Sequence, residues 1–196
     1  IISLGMANYK EIKEAVLTAR KNGCKKLILL KCTSTYPAKY EDANLATIPF
    51  LRKSFKCEVG LSDHTLGIST ALAATAFGAS VIEKHFTLDR KSGGPDAKFS
   101  LEPHELKNLV DEVDNVWKSI GKINLQVTKG EKKYLKFRRS IYASENIKKG
   151  DKLSKNNIRV IRPGYGIKSK YYDSIIGKKA IKKISKGTAL QFSLFK

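Results

Sequence analysis

No apolar run in this chain of 196 residues approaches the roughly 20 needed to span a bilayer, and the Ala-rich stretch from Ile68 to Ala79 is broken by Ser, Thr and Gly. A membrane partner is therefore not expected. Cysteine is scarce as well: Cys24, Cys32 and Cys57 are odd in number, widely spaced and set in apolar sequence. That argues against a disulfide framework or a zinc knuckle and predicts reduced core thiols in a cytoplasmic protein. No Gly-x-Gly-x-x-Gly turn follows any apolar run, which removes the main support for a dinucleotide fold. Acidic residues are few, 18 against 38 Lys and Arg, and the deficit is local. Residues 1–125 carry 18 basic and 14 acidic side chains, whereas residues 126–196 carry 20 and 4. A basic tail invites a nucleic-acid partner, but only 7 of the cations are Arg and no aromatic–basic motif accompanies them. Solvated surface lysine, or a field that draws in small anionic substrates, is the preferred reading, with no nucleic acid.

What is present is a strand-then-helix alternation. Ile1 to Ser3 reads as the end of a strand, and Tyr9 to Asn22 as an amphipathic helix with Ile12, Ala15, Val16 and Ala19 on one face, stopped by Gly23. Strands are predicted over 25–32, 57–61 and 81–86, with helices over about 42–54, 67–77 and 103–119. The strands are apolar on both faces, which implies a parallel sheet covered by helices. Four such units are half of an eight-stranded barrel. Because the chain starts on strand-like sequence at Ile1 rather than at methionine, it is expected to be a fragment whose front half is missing. Residues 122–136 are polar and aperiodic, as in a linker. Beyond them, short β-like pieces at 140–143, 158–161 and 178–181, separated by Gly and charged turns, predict a small β-rich domain over 137–196 after a first domain over 1–121.

Histidine is as scarce as cysteine, at three copies, and two of them end predicted strands. His64 closes Gly60-Leu61-Ser62-Asp63-His64, and His85 closes Val81-Ile82-Glu83-Lys84-His85. Neighbouring parallel strands bring both imidazoles to the C-terminal edge of the sheet, where such folds place their chemistry, so a divalent-metal site with open positions is expected. Side chains alternate along a strand, so Ser62 and His64 share a face, Glu83 and His85 share a face, and Asp63 points away. Ser62-Asp63-His64 is therefore no catalytic triad. Glu83 is a candidate to orient an imidazole. Asp96, in the Gly-rich loop 87–96, is a candidate hydroxyl ligand. His104, beside Pro103, is expected to be an exposed first-turn residue.

Seven motifs then occur in one order: Ile-Ser-Leu-Gly-Met (2–6), Lys-Cys-Thr-Ser-Thr-Tyr-Pro-Ala (31–38), Gly-Leu-Ser-Asp-His-Thr-Leu-Gly (60–67), Glu-Lys-His-Phe-Thr-Leu-Asp-Arg (83–90), Gly-Gly-Pro-Asp (93–96), Phe-Arg-Arg-Ser (137–140) and Arg-Pro-Gly-Tyr-Gly (162–166). Together they resemble the sialic acid synthase family over the whole chain. The resemblance implies a (β/α)8 barrel, of which this chain holds the C-terminal half, followed by an antifreeze-like SAF domain. It implies condensation of phosphoenolpyruvate with an N-acetylated amino sugar in a domain-exchanging homodimer. By the same resemblance, His64 and His85 bind a divalent cation, usually manganese, with magnesium or cobalt as substitutes. Ser3, Ser34 and Ser62 lie near the phosphoenolpyruvate phosphate, Tyr36 and Asp96 meet the sugar, and Arg162 reaches a partner's barrel mouth. Glu83 and Asp96 are the candidate catalytic carboxylates. Lys31, Ser34 and Tyr165 resemble the pseudaminic branch, whose sugar is a diacetamido-trideoxy-altrose; the N-acetylneuraminate and legionaminate branches are the enzymatic alternatives. A carbohydrate-binding relic of the barrel is the non-enzymatic one.

Overall fold

A computed structural model describes all 196 residues, which divide into two compact units, Ile1–Ile123 and Asn124–Lys196. In the first, strands β1 (Ile2–Ser3), β2 (Ile28–Cys32), β3 (Glu58–Asp63) and β4 (Ile82–Lys84) lie side by side in chain order, every neighbour parallel. Helices α1 (Tyr9–Lys21), α2 (Thr47–Phe55), α3 (Ser69–Ala76) and α4 (Pro103–Ile120) alternate with them.

Local sequence explains the boundaries. Asn8 accepts from the Lys10 and Glu11 amides while Glu11 accepts from the Asn8 amide, which satisfies the free donors at the start of α1. Helix α2 begins at Thr47 rather than near residue 42, because Tyr40–Asp42 forms a separate 3-10 turn and Asn44 takes a left-handed φ of 45°. Strand β4 is shorter than predicted: it stops at Lys84, and the chain beyond it pairs Phe86 with Leu101. One face of the sheet packs Leu29, Val59 and Leu61 against Ile12 and Val16 of α1 and Ile48, Leu51 and Phe55 of α2. Gly60 permits the closest approach of β3 to its neighbour, since a Cβ there would stand 2.3 Å from the Val81 carbonyl oxygen.

The second unit pairs β5 (Ser140–Ala143) with β6 (Ile158–Ile161) antiparallel, and adds a four-residue helix, α5 (Tyr172–Ile175). Its core gathers Ile141, Ile147, Leu153, Ile158, Ile175, Ile184 and Leu190 from segments separated by turns. The strand predicted over 178–181 reduces to single bridges, Lys152 with Lys179 and Ala180 with Phe195. The linker reading of 122–136 needs correction at its end: Glu131–Phe137 is a 3-10 helix, and the Lys136 carbonyl accepts from the Gly164 amide at 2.8 Å, which ties this segment into the second unit. All three cysteines are free, but only Cys32 is buried; Cys24 and Cys57 are half-buried at the sheet's margin. No helix is long and apolar enough to cross a membrane.

Candidate functional site

The parallel register sets the site. Cys32 pairs with Ser62 and Ser62 with Glu83, so these three form one side-chain row across β2, β3 and β4, on the face opposite the helix-packed leucines. Beyond the row, His64 and His85 leave the ends of β3 and β4 with ring centroids 5.1 Å apart and planes at 61°. Ser62, His64, Glu83 and His85 are among the residues that line a cavity of about 220 Å³. Tyr36 covers it, its ring 4.4 Å from that of His64 and 6.0 Å from that of His85, and Phe99 stands 4.9 Å from His85 and 5.7 Å from Tyr36.

The two imidazoles differ in what their Nδ1 atoms meet. The His64 Nδ1 lies 3.0 Å from the Thr33 carbonyl oxygen, an acceptor, so Nδ1 carries the proton and Nε2 keeps its lone pair. The His85 Nδ1 faces Asp96 Oδ2 at 3.5 Å. A metal–nitrogen bond of about 2.1 Å puts a ring centroid about 3.2 Å from the ion, so two rings sharing an ion have centroids at most about 6.4 Å apart. The observed 5.1 Å meets that limit, and two neutral nitrogens fit a divalent cation.

The other candidates sort by position. Asp96 is half-exposed and beside His85, so it, rather than Glu83, is the carboxylate that faces an imidazole. Glu83 lines the cavity but holds neither ring, which corrects its orienting role. Ser62 is buried in the cavity wall. Ser34 sits against Gly5, where a Cβ would fall 2.0 Å from Ser34 Oγ. Ser3, opposite Leu30, belongs to the side-chain row one step further from the strand ends. Lys31 donates to Thr33 Oγ1 and the Cys32 carbonyl, each at 3.0 Å, and burial lowers its pKa from the usual lysine value, with Cys32 and Asp42 opposing. His104 is exposed at the start of α4 as expected. It and Glu102 and Glu105 lie close enough to suggest a second metal site, but Arg90 already engages both carboxylates, and the Glu105 side chain accepts from the Glu102 amide.

In the second unit Arg162 lines a cavity of about 920 Å³ with Arg138, Arg139, Lys168 and Lys170 and no carboxylate. Ser140 shapes it: its hydroxyl donates to the Pro163 carbonyl at 2.7 Å and accepts from the Gly166 amide at 2.9 Å. Sequence reasoning missed Thr33, Phe99 and Lys84. The first acts through its backbone, the second reads as an ordinary apolar residue, and only the third, a lysine inside an apolar strand, carried a legible signal.

Residues 1–124 match the NeuB family over well more than half of the chain, and residues 138–196 match the SAF domain. This chain belongs to the NeuB family. The NeuB-family chain is 45% identical over 185 residues to the N,N'-diacetyllegionaminic acid synthase of Campylobacter jejuni, an alignment that covers 93% of this chain and 55% of the relative. It is 42% identical over 191 residues to a pseudaminic acid synthase of the same species, covering 97% and 56%. Among solved structures, the Bacillus subtilis spore coat polysaccharide biosynthesis protein SpsE is similar over 100% of this chain and 60% of its own, at 30% identity and a TM-score of 0.58. The chain thus spans about half the length of the curated relatives it matches.

Proposed function

We propose that this chain carries the cation- and substrate-binding half of a nonulosonic acid synthase, which joins phosphoenolpyruvate to an N-acetylated amino sugar and releases phosphate. In this reading its four βα units are the C-terminal half of a (β/α)8 barrel, and the strand-end cavity is the barrel mouth. The observation that carries it is the meeting of His64 and His85, with the His64 Nδ1 held by the Thr33 carbonyl and the His85 Nδ1 facing Asp96. A divalent cation on these two rings, manganese first and magnesium or cobalt as substitutes, supplies Lewis-acid polarisation of the sugar aldehyde when bound. The chain's own groups position the rest. Ser3, Ser34 and Ser62 offer hydroxyls to the phosphate, Asp96 accepts from a sugar hydroxyl, and Tyr36 closes over the apolar side of the sugar. Glu83, a carboxylate inside the cavity, is placed to exchange a proton with the reacting groups. In the full-length protein, His64→Ala or His85→Ala abolishes manganese-dependent phosphate release while the far-UV spectrum stays unchanged. Full turnover by metal-stripped His64→Ala overturns the proposal.

Two sugars compete for the assignment. Lys31, Ser34 and Tyr165 favour the pseudaminic branch and its diacetamido-trideoxy-altrose; the 45% identity to the legionaminic relative favours that branch instead. Both sugars carry a second acetamido group, and a pocket built to pair it rejects a sugar without it by orders of magnitude. Competition at limiting phosphoenolpyruvate should therefore exclude N-acetylmannosamine and rank the two diacetamido sugars.

A further inference from the structure

Behind the two histidines, on the opposite face of the sheet, lies an ion pair that the proposed reaction does not use. Asp63 precedes His64 and Lys84 precedes His85, so alternation turns both charged side chains away from the histidine rings. Lys84 Nζ donates to Asp63 Oδ2 at 2.8 Å, and the side chains are 2% and 1% exposed. Lys84 Nζ also donates to the Thr65 carbonyl at 2.5 Å. Asp63 Oδ1 accepts from the Thr65 amide at 2.9 Å and from its hydroxyl at 2.8 Å, and that hydroxyl lies 2.9 Å from the Thr70 hydroxyl in α3. The network therefore brackets His64 on both sides and abuts His85.

Such a pair is a poor device for stability alone, because desolvating two charges offsets most of their attraction and an apolar pair of similar volume does as well. Its position suggests a different use. Strands β3 and β4 share only three register pairs, and Asp63 opposite Lys84 is the last of them. The next residues are the two histidines, beyond the ladder. A slip of one residue moves a Cα by about 3.3 Å, whereas a metal site tolerates about 0.2 Å.

We propose that the buried Asp63–Lys84 pair, with Thr65, is a positioning device that fixes the separation and tilt of the His64 and His85 rings; its consequence for cation binding rests on the reading of those rings as the cation site. Lys84→Met alone strands a buried carboxylate, so the informative variant is the double Asp63→Asn/Lys84→Met, which removes both charges at nearly constant volume. Two readouts are taken on the full chain: Co2+ affinity by titration, and imidazole 15N spectra of the metal-free protein, in which exposed His104 serves as the internal reference. In the parent, His64 shows one Nδ1-protonated tautomer. In the double variant the thermal midpoint stays close to the parent's, Co2+ affinity falls about 10–100-fold, and the His64 and His85 signals shift while His104 does not. If the double variant does not fold, Thr65→Val carries the test, with the same shifts and a loss of affinity of smaller size. Parent-like ring spectra in the folded variant overturn the positioning role. Should the parent and His64→Ala bind Co2+ alike, the cation-site reading fails, and the metal-free ring spectra still decide the positioning role on their own.

Discussion

Glu105 shows how much one carboxylate can be asked to do. It accepts the Glu102 amide at the start of α4 and takes a two-pronged grip from Arg90, at 2.6 and 2.9 Å. The Arg90 hydrogen bond is the main reason its pKa is held below the ordinary carboxylate value, with the Glu102 amide adding to it. A folded-state pKa lower than the unfolded one means that the unfolded chain binds protons first as pH falls. The contribution is thus complete above about pH 5 and disappears as pH drops through the depressed value. Glu105→Gln should lower stability at neutral pH, flatten the acid limb of the unfolding curve, and meet the parent curve in strong acid. Acid titrations of urea midpoints for the two proteins check this. In the sequence, Glu105 is simply one acid in a helix and Arg90 one cation in a loop. Fifteen residues separate the partners, and only the fold of the 87–102 loop brings them together.

Among elements, the helix C-termini share a device that no periodicity reveals. Arg20, in the last turn of α1, donates to the Phe55 carbonyl at the end of α2 at 2.5 Å. Arg52, in the last turn of α2, donates to the Gly78 carbonyl just past α3 at 2.5 Å and to Glu58 at 3.2 Å. Each arginine satisfies carbonyls that the next helix leaves unpaired, so successive βα units are stitched together at the end of the sheet away from the histidines. Arg52→Ala should cost about 1.5–3 kcal/mol, the usual value of a hydrogen bond to a charged donor. The loss is measured by equilibrium urea unfolding, and cation binding at the far end should be unchanged. The helices themselves were legible. Ile12 and Val16 face the core as their spacing requires, and Pro103 opens α4. The late start of α2 was not, because it depends on the backbone turn at Asn44.

At the scale of the whole molecule, the excess positive charge of the second half is partly concentrated. Arg138, Arg139, Arg162, Lys168 and Lys170 line one cavity, and Ser140 ties down the 162–166 loop that presents Arg162. The resemblance to the sialic acid synthase family implies that Arg162 reaches the barrel mouth of a second copy in a homodimer, an arrangement in which each active site would need two chains. Mixing full-length Arg162→Ala protomers with His85→Ala protomers should restore activity to at most about a quarter of the parent's, because random exchange makes half of the dimers mixed and each mixed dimer has one intact site. No recovery after proven subunit exchange shows that Arg162 acts within its own chain or not at all.

The sequence by itself determined the order of elements, the two-part division, the strand ends that carry His64 and His85, and the alternation that sends Asp63 to the opposite face. These follow from local rules: apolar runs, helix periodicity, caps and the two-residue repeat of a strand. Only the tertiary structure decided what each of these residues meets. The separation of the two imidazoles, the Thr33 carbonyl that sets the His64 tautomer, Phe99 beside His85 and Lys84 buried on Asp63 all join residues far apart in the chain. Such contacts depend on strand register and loop closure. A register is fixed by packing of whole faces against one another, a sum over many residues that no single stretch of sequence contains.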